Sequence, residues 1–204
     1  MLAGERMVAD DGFEVMLFPF EVMYISQGVH NGYCLDFIGW NATTNRRIYK
    51  CPYYAPCSCV CVAKGRDGDW VAFNSNDKVH CADGTLRYVS WQQGHDDTPC
   101  SVGDTFIQGD LIGHTGTTGR VTGDHLHFNT ASGHYAGWTN HHLINSIDIW
   151  ECCYVDDTNL YRPRTYNWVT YGGTPGPGPG PGPVVKIEKK NFPWFIISNK
   201  RLHR

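Results

Sequence analysis

The sequence predicts a mostly β protein, and three observations carry that prediction. Glycine is frequent, at 23 of 204 residues, and aromatic residues make up 13% of the chain, a balance suited to short strands and tight turns. No stretch shows the sustained 3.6-residue periodicity of a long amphipathic helix. Several short runs instead alternate apolar and polar residues between Gly, Asn and Asp punctuation. A chain of this length can bury one sizeable core and still carry appendages.

The opening "MLAGERMVADDGFEVMLFPF" contains acidic residues and no apolar stretch of signal-peptide shape. Nowhere does the chain reach the roughly 18 apolar residues of a membrane span. The expectation is a soluble product with no signal peptide and no membrane span. From Met23 to about Tyr171 the pattern reads as short strands joined by turns. "WVAFNS" (70–75), "KVHCA" (78–82) and "LRYVSW" (86–91), with turns at Asn76-Asp77 and Asp83-Gly84, predict a three-strand meander. "SVGDTFIQGDLIGHTG" has glycine every few residues, as tight turns crossing the end of a sheet require. "GDHLHFNT" (123–130) returns to strand alternation, and after Trp150 the pattern weakens to polar loop.

At Gly172 the composition changes to "GGTPGPGPGPGP". Alternating Pro and Gly cannot form a core, and the twelve residues read as a semi-extended linker reaching at most ~37 Å. Residues 184–204 then hold six Lys or Arg against one Glu, a net of +5; the chain total is −3, which leaves −8 on residues 1–183. An apolar knot, Phe192 to Ile197, sits between basic flanks and is too short to span a bilayer. The expected organisation is a domain over 1–171 with its core at about 23–150, a linker at 172–183, and a basic, aromatic docking peptide at 184–204. The acidic domain and the unpatterned basic tail give no support for nucleic-acid binding.

Nine cysteines (Cys34, Cys51, Cys57, Cys59, Cys61, Cys81, Cys100, Cys152, Cys153) form an odd count. Without an export signal, reduced thiols acting as small core residues are the expectation. In "CSCVC", three thiols at alternate strand positions span roughly 13 Å, too far for one ion with zinc–sulfur bonds of about 2.3 Å.

His125 and His127 alternate with Leu126 and Phe128. On a strand the histidines share one face, about 6.6 Å apart, while Leu126 and Phe128 turn to a core. One metal ion cannot easily take both imidazoles at that spread. It could take one and leave the other beside it to handle a water or a developing oxyanion; two partly buried, hydrogen-bonded histidines are the bland alternative. Upstream, "SQGVHNGYCLDFIGW" places His30 before Asp36, which lies between Leu35 and Phe37. A carboxylate in that setting is costly to bury unpaired. Two imidazoles and a carboxylate make a three-ligand zinc set with an open fourth position; a capping Asp36 beside an exposed His30 is the structural alternative.

"HNGYCLDF" together with "GHTGTTGRVTGDHLHF" resembles the lysostaphin-type (LytM-like) zinc endopeptidases of peptidoglycan. The family pairs a His and an Asp in a first motif with T-G-x-x-T-G-x-H-L-H-F in a second, matched here at Thr118-Gly119, Thr122-Gly123 and His125 to Phe128. "YYAPCSCVCVAKG" is similar to the family's Y-A-P strand and "VGDTFIQGDLIG" to its glycine-rich turn, so the resemblance covers about residues 23–150. It implies an antiparallel β-sheet groove with one zinc ion on its floor, His30, Asp36 and His127 as ligands, and His125 as a catalytic histidine. The family uses a further catalytic histidine between the two motifs. His80, His95 and His114 are candidates; His95 in "WQQGHDD" fits best, as phage members carry a similar His-Asp pair. His134, His141, His142 and His203 match no role. Two extra residues separate His30 from Asp36 relative to the commonest spacing, as in phage-like members. Asn129 stands where many members have an acidic residue.

The resemblance implies hydrolysis of an amide in a cell-wall peptide, with zinc acidifying a water and polarising the carbonyl. His125 and His95 would share the proton transfers and oxyanion stabilisation. The missing export signal and the basic Phe-Pro-Trp end after a Pro-Gly tether resemble a phage tail component. The expectation is therefore a virion tail-associated lysin, docked on tail or baseplate proteins through residues 184–204. A free endolysin and a structural tail protein lacking catalysis are the alternatives.

Overall fold

The computed structural model describes residues 4–155 and the backbone of residues 185–188. The linker at 172–183, the expected domain end at 171 and the rest of the 184–204 segment lie outside the described residues.

The strands are β1 (Arg6–Ala9), β2 (Glu14–Val15), β3 (Met23–His30), β4 (Cys34–Asn41), β5 (Arg46–Ile48), β6 (Pro52–Tyr54), β7 (Cys59–Lys64), β8 (Trp70–Ser75), β9 (Val79–His80), β10 (Leu86–Arg87), β11 (Val89–Gly94), β12 (Thr105–Phe106), β13 (Leu111–His114), β14 (Leu126–Ser132), β15 (Trp138–Thr139), β16 (His142–Leu143) and β17 (Ser146–Ile147). One turn of helix, α1 (Ile149–Cys152), and strand β18 (Val185–Glu188) follow. The expected mostly β, antiparallel architecture is what forms. The main sheet runs β12-β7-β8-β11-β14-β4-β3, with β17 on β14 and β5 on β4. A smaller sheet runs β10-β9-β2-β1-β18, in which β2 and β9 are parallel. β13 pairs β6, and β15 pairs β16.

Period-2 alternation gives the main sheet two unlike faces. On the inner face lie Phe37, Phe73, Trp91, Leu126 and Phe128, all buried, covered by Met16, Phe18, Phe20, Tyr53 and Trp150. Phe73 stacks on Trp91 at 5.3 Å, and Phe20 meets Phe128 edge-on at 6.3 Å. Each such side chain contributes ~1.5–3 kcal/mol by leaving water, which fixes the register of the strands. The outer face is mixed, with Asp36, Gln92, His127 and Asn129 beside Trp70, Ala72 and Ala131, and cross-strand partners point the same way. The ladder Trp70–Gly94–His127–Asp36–Gln27 is therefore one row across β8, β11, β14, β4 and β3.

The structure departs from the sequence expectations in three places. The meander does not form: β8 pairs directly with β11, matching Phe73 to Trp91, and the chain between them leaves the sheet to place β9 and β10 in the small sheet. Burying the two large aromatics against each other outweighs the local hairpin, although the Asp83-Gly84 turn is made as expected, with Gly84 at φ 81°. Residues before Met23 take part, since β1 and β2 build the small sheet and Phe18 and Phe20 enter the core. Past Trp150 the chain is not all loop. Asp148 caps α1 by accepting a hydrogen bond from the Trp150 amide at 3.0 Å, and Ile149, Trp150 and Cys152 are buried. One turn is too short to show periodicity.

All nine cysteines are free, and all but Cys100 are buried. Cys57, Cys59 and Cys61 pack in the core. Burial pushes the Cys57 and Cys59 thiols well up, so they stay protonated and inert.

Candidate metal centre

His127 and Asp36 are direct cross-strand neighbours on β14 and β4, where both are buried. His30 reaches the same face through an irregularity of β3. Asp36 pairs with Gln27 and Cys34 with His30, so Gly28 and Val29 on β3 oppose the single Leu35 on β4. That one-residue bulge turns His30 to the groove face it shares with Asp36 and His127, while Val29 is half exposed. The β3–β4 turn runs through left-handed Asn31 (φ 39°), Gly32 (φ 69°) and Tyr33 (φ 68°). His30, Asp36 and His127 thus offer three ligand atoms within 4.8 Å of one another. His127 Nδ1 lies 3.0 Å from Asp36 Oδ1, and His30 Nε2 lies 3.6 Å from it.

Backbone carbonyls set the tautomers. His30 Nδ1 is 2.8 Å from the Gly28 carbonyl and His127 Nε2 is 3.0 Å from the His141 carbonyl. A carbonyl only accepts, so these nitrogens carry hydrogen, and the lone pairs of His30 Nε2 and His127 Nδ1 face Asp36 when the rings are neutral. Two lone pairs and a carboxylate converging on one point repel unless a cation sits between them. In the protein without metal that cation is a proton. Burial works against a charge on His127, but its hydrogen bond to Asp36, with the Asp36 charge, pushes its pKa up to about 10. Burial likewise opposes the Asp36 charge, and His127, His125 and His30 together hold its pKa below the usual carboxylate value. The same donor set, His–Asp–His with outer hydrogen bonds to carbonyls, fits a divalent zinc ion with an open position.

His125 and His95 stand beside this triad. His125 Nδ1 is 2.8 Å from the Gly123 carbonyl and its Nε2 is 3.8 Å from Asp36 Oδ2. His95 Nδ1 is 2.9 Å from the Thr118 carbonyl, and its ring centre is 4.6 Å from that of His125 and 6.0 Å from that of His127. His95 sits at φ 75°, a left-handed conformation uncommon outside glycine and often found at functional sites. Burial lowers its pKa to about 4, so its ring is neutral at pH 7. All five sequence-derived site residues are therefore brought into one groove. His80 instead bonds Asp11 at 2.8 Å in the small sheet, and His114 lies on β13.

Two contributors were given no role by the sequence. His141 had matched no role, yet its carbonyl holds His127. It is the second residue of the two-residue β15–β16 turn, with Asn140 at φ 45° and His141 at φ 68°, and Asn at such a turn is the one available hint. Asn129, fully buried two residues past His127, donates from Nδ2 to the Gly32 carbonyl at 3.0 Å. Its Oδ1 accepts from the Leu143 amide at 2.8 Å and the Ser146 hydroxyl at 3.1 Å. It ties the loop carrying His30 to the hairpin carrying the His141 carbonyl. A carboxylate at this position has no hydrogen to donate to Gly32, which accounts for an amide here.

No protein-family model matches the chain. It is 34% identical over 171 residues to Morphogenesis protein 1 of Bacillus phage B103, covering 78% of this chain and 45% of that protein. The chain thus spans less than half the length of that relative. Among solved structures, the solution structure of lysostaphin is 20% identical, covering 78% of this chain and 58% of the other, at a TM-score of 0.43. The catalytic domain of the antimicrobial peptidase lysostaphin from Staphylococcus simulans is 23% identical, covering 64% and 85%, at 0.40. A zinc-containing peptidase from Vibrio cholerae is 18% identical, covering 62% and 43%, at 0.37.

Proposed function

We propose that this chain is a zinc-dependent endopeptidase of lysostaphin type that hydrolyses amide bonds in bacterial peptidoglycan. The observation that carries this reading is the convergence of His30 Nε2, Asp36 Oδ1 and His127 Nδ1 beside two further imidazoles. The ordered motifs "HNGYCLDF" and "TGRVTGDHLHF" support the same class. His30, Asp36 and His127 would hold the ion, and zinc supplies Lewis acidity that polarises a carbonyl oxygen and acidifies water. His125 and His95, with Nδ1–H fixed on carbonyls, present Nε2 lone pairs to the groove. One removes a proton from the attacking water; the other, once protonated, hydrogen-bonds the developing oxyanion or returns a proton to the leaving amine.

The setting we propose is a phage tail lysin that opens the host wall during infection, with residues 184–204 docking on a tail or baseplate protein. Identity to a phage morphogenesis protein supports a phage origin. Zinc content and release of new amino groups from purified walls test the enzymatic reading. His127→Ala should lose both; His125→Ala should keep the metal and lose most turnover. Zinc retained at full occupancy by His127→Ala would sink the ligand assignment. For the setting, deletion of residues 184–204 should strip the chain from purified virions and spare wall hydrolysis; a chain that never enters virions points to a free endolysin.

A further inference from the structure

On the β8 side of the metal centre the groove has a floor, a wall and an unengaged charge. The floor is Gly94, between Trp70 and His127 in the cross-sheet row. Its backbone is not left-handed, so conformation does not demand glycine there. A Cβ would meet the His127 Cβ at 3.1 Å and the Asp69 carbonyl at 3.5 Å, and would stand in the groove. The bare floor is thus a matter of space in the groove rather than of backbone strain. The wall is Trp70 stacked on Trp138, ring centres 5.4 Å apart and planes 12° from parallel. Trp138 is held by its Nε1 hydrogen bond to Gln92 Oε1 at 3.1 Å.

The charge is Asp69. Its main-chain carbonyl accepts the His95 amide hydrogen bond at 2.7 Å, which ties it to the candidate catalytic histidine. Its side chain is packed between two glycines: a Cβ on Gly65 would fall 2.3 Å from Asp69 Oδ1, and one on Gly119 would fall 2.9 Å from the Asp69 Cβ. Among the described residues no hydrogen bond or ion pair engages the carboxylate. Arg120 also lines the groove but is exposed, so solvent screens its charge. A carboxylate held in place beside an indole pair suits an alkylammonium group: the charge meets Asp69, and the alkyl stem lies along the tryptophan faces.

We propose that Asp69, Gly94, Trp70 and Trp138 form a substrate subsite for a residue with a free side-chain ammonium next to the scissile amide. This rests on the peptidase reading for its place in catalysis but is tested through binding. The probes are two synthetic cell-wall stem peptides, identical except that the side-chain amine of the diamino residue is free in one and acetylated in the other. Calorimetric binding to the zinc-loaded full chain should be about tenfold weaker for the acetylated peptide. Asp69→Asn should bring the free-amine peptide to the acetylated level and leave the acetylated peptide unchanged, with zinc content intact. Gly94→Val should weaken both peptides and retain zinc. Equal binding of the two peptides by the native chain, or equal loss of both in Asp69→Asn, overturns the subsite. Hydrolysis followed in parallel separates the two ideas: discrimination in binding with no cleavage of either peptide overturns the peptidase reading and leaves the subsite standing.

Discussion

Asp36 and His127 are 91 residues apart in the chain, yet Asp36 Oδ1 lies 3.0 Å from His127 Nδ1, and His127 Nε2 is bound to the His141 carbonyl at the same distance. The slot between carboxylate and imidazole suits one cation, so on the proposed reading a proton and a metal would compete for it.

Zinc loading should therefore release about one proton per ion at pH 7. His127, pushed up to about 10, carries that proton in the metal-free protein. The sign follows from linkage. A raised folded-state pKa stabilises the metal-free fold fully below the unfolded imidazole value of about 6.5 and loses that contribution as pH rises through about 10. Zinc affinity should accordingly climb with pH across this window. Calorimetric titrations in buffers of different ionisation enthalpy would count the proton; a count of zero contradicts the shared slot.

His95 should behave in the opposite sense. Burial depresses it to about 4, with the His125 and His127 charges adding to the effect and the Thr118 carbonyl opposing it. Protons then favour the unfolded chain, and this residue's contribution to stability falls as pH drops from about 6.5 toward about 4. In NMR spectra of the metal-free protein its imidazole resonances should show the neutral ring at pH 6. A midpoint near 6.5 would remove His95 from the role of neutral base.

Asn129→Asp should weaken both fold and site. The substitution removes the donor to the Gly32 carbonyl and buries a negative charge against it, at a cost of about 1–3 kcal/mol. Because the same side chain positions the His30 loop and the His141 hairpin, zinc affinity should fall on the order of 10- to 100-fold. Denaturant unfolding and competition with a chromophoric chelator would measure the two effects. A destabilised variant with unchanged zinc affinity would restrict Asn129 to folding.

The thiols supply an independent check on the core. With eight of the nine buried and none paired, a thiol reagent should label at most Cys100 in the native protein and all nine cysteines in denaturant. Rapid native labelling of several sites would contradict the packing of Cys57, Cys59 and Cys61.

Much of the site was legible along the chain. Alternation in "DHLHF" put the imidazoles of His125 and His127 on one face and Leu126 and Phe128 on the other, and the structure keeps that division. Residue types also identified His30 and Asp36 as ligand candidates, because a carboxylate between Leu and Phe needs a partner. The local turns point to a meander because hairpin turns are read locally, whereas the Phe73–Trp91 match that displaces β9 joins residues 18 apart in the chain. The turn of α1 is not legible in the sequence because four residues carry no period.

By itself the sequence determined which side chains alternate, where glycine permits turns, and that two imidazoles and a carboxylate are available to hold one ion. The tertiary structure alone decided that they meet. Register across β3, β4, β11 and β14 sets which residues share a row, and one extra residue in β3 turns His30 to the groove. The His141 carbonyl and the unengaged Asp69 acquire their roles only from neighbours brought close by the sheet, because a main-chain acceptor or a lone carboxylate looks the same in any sequence until packing decides what it faces.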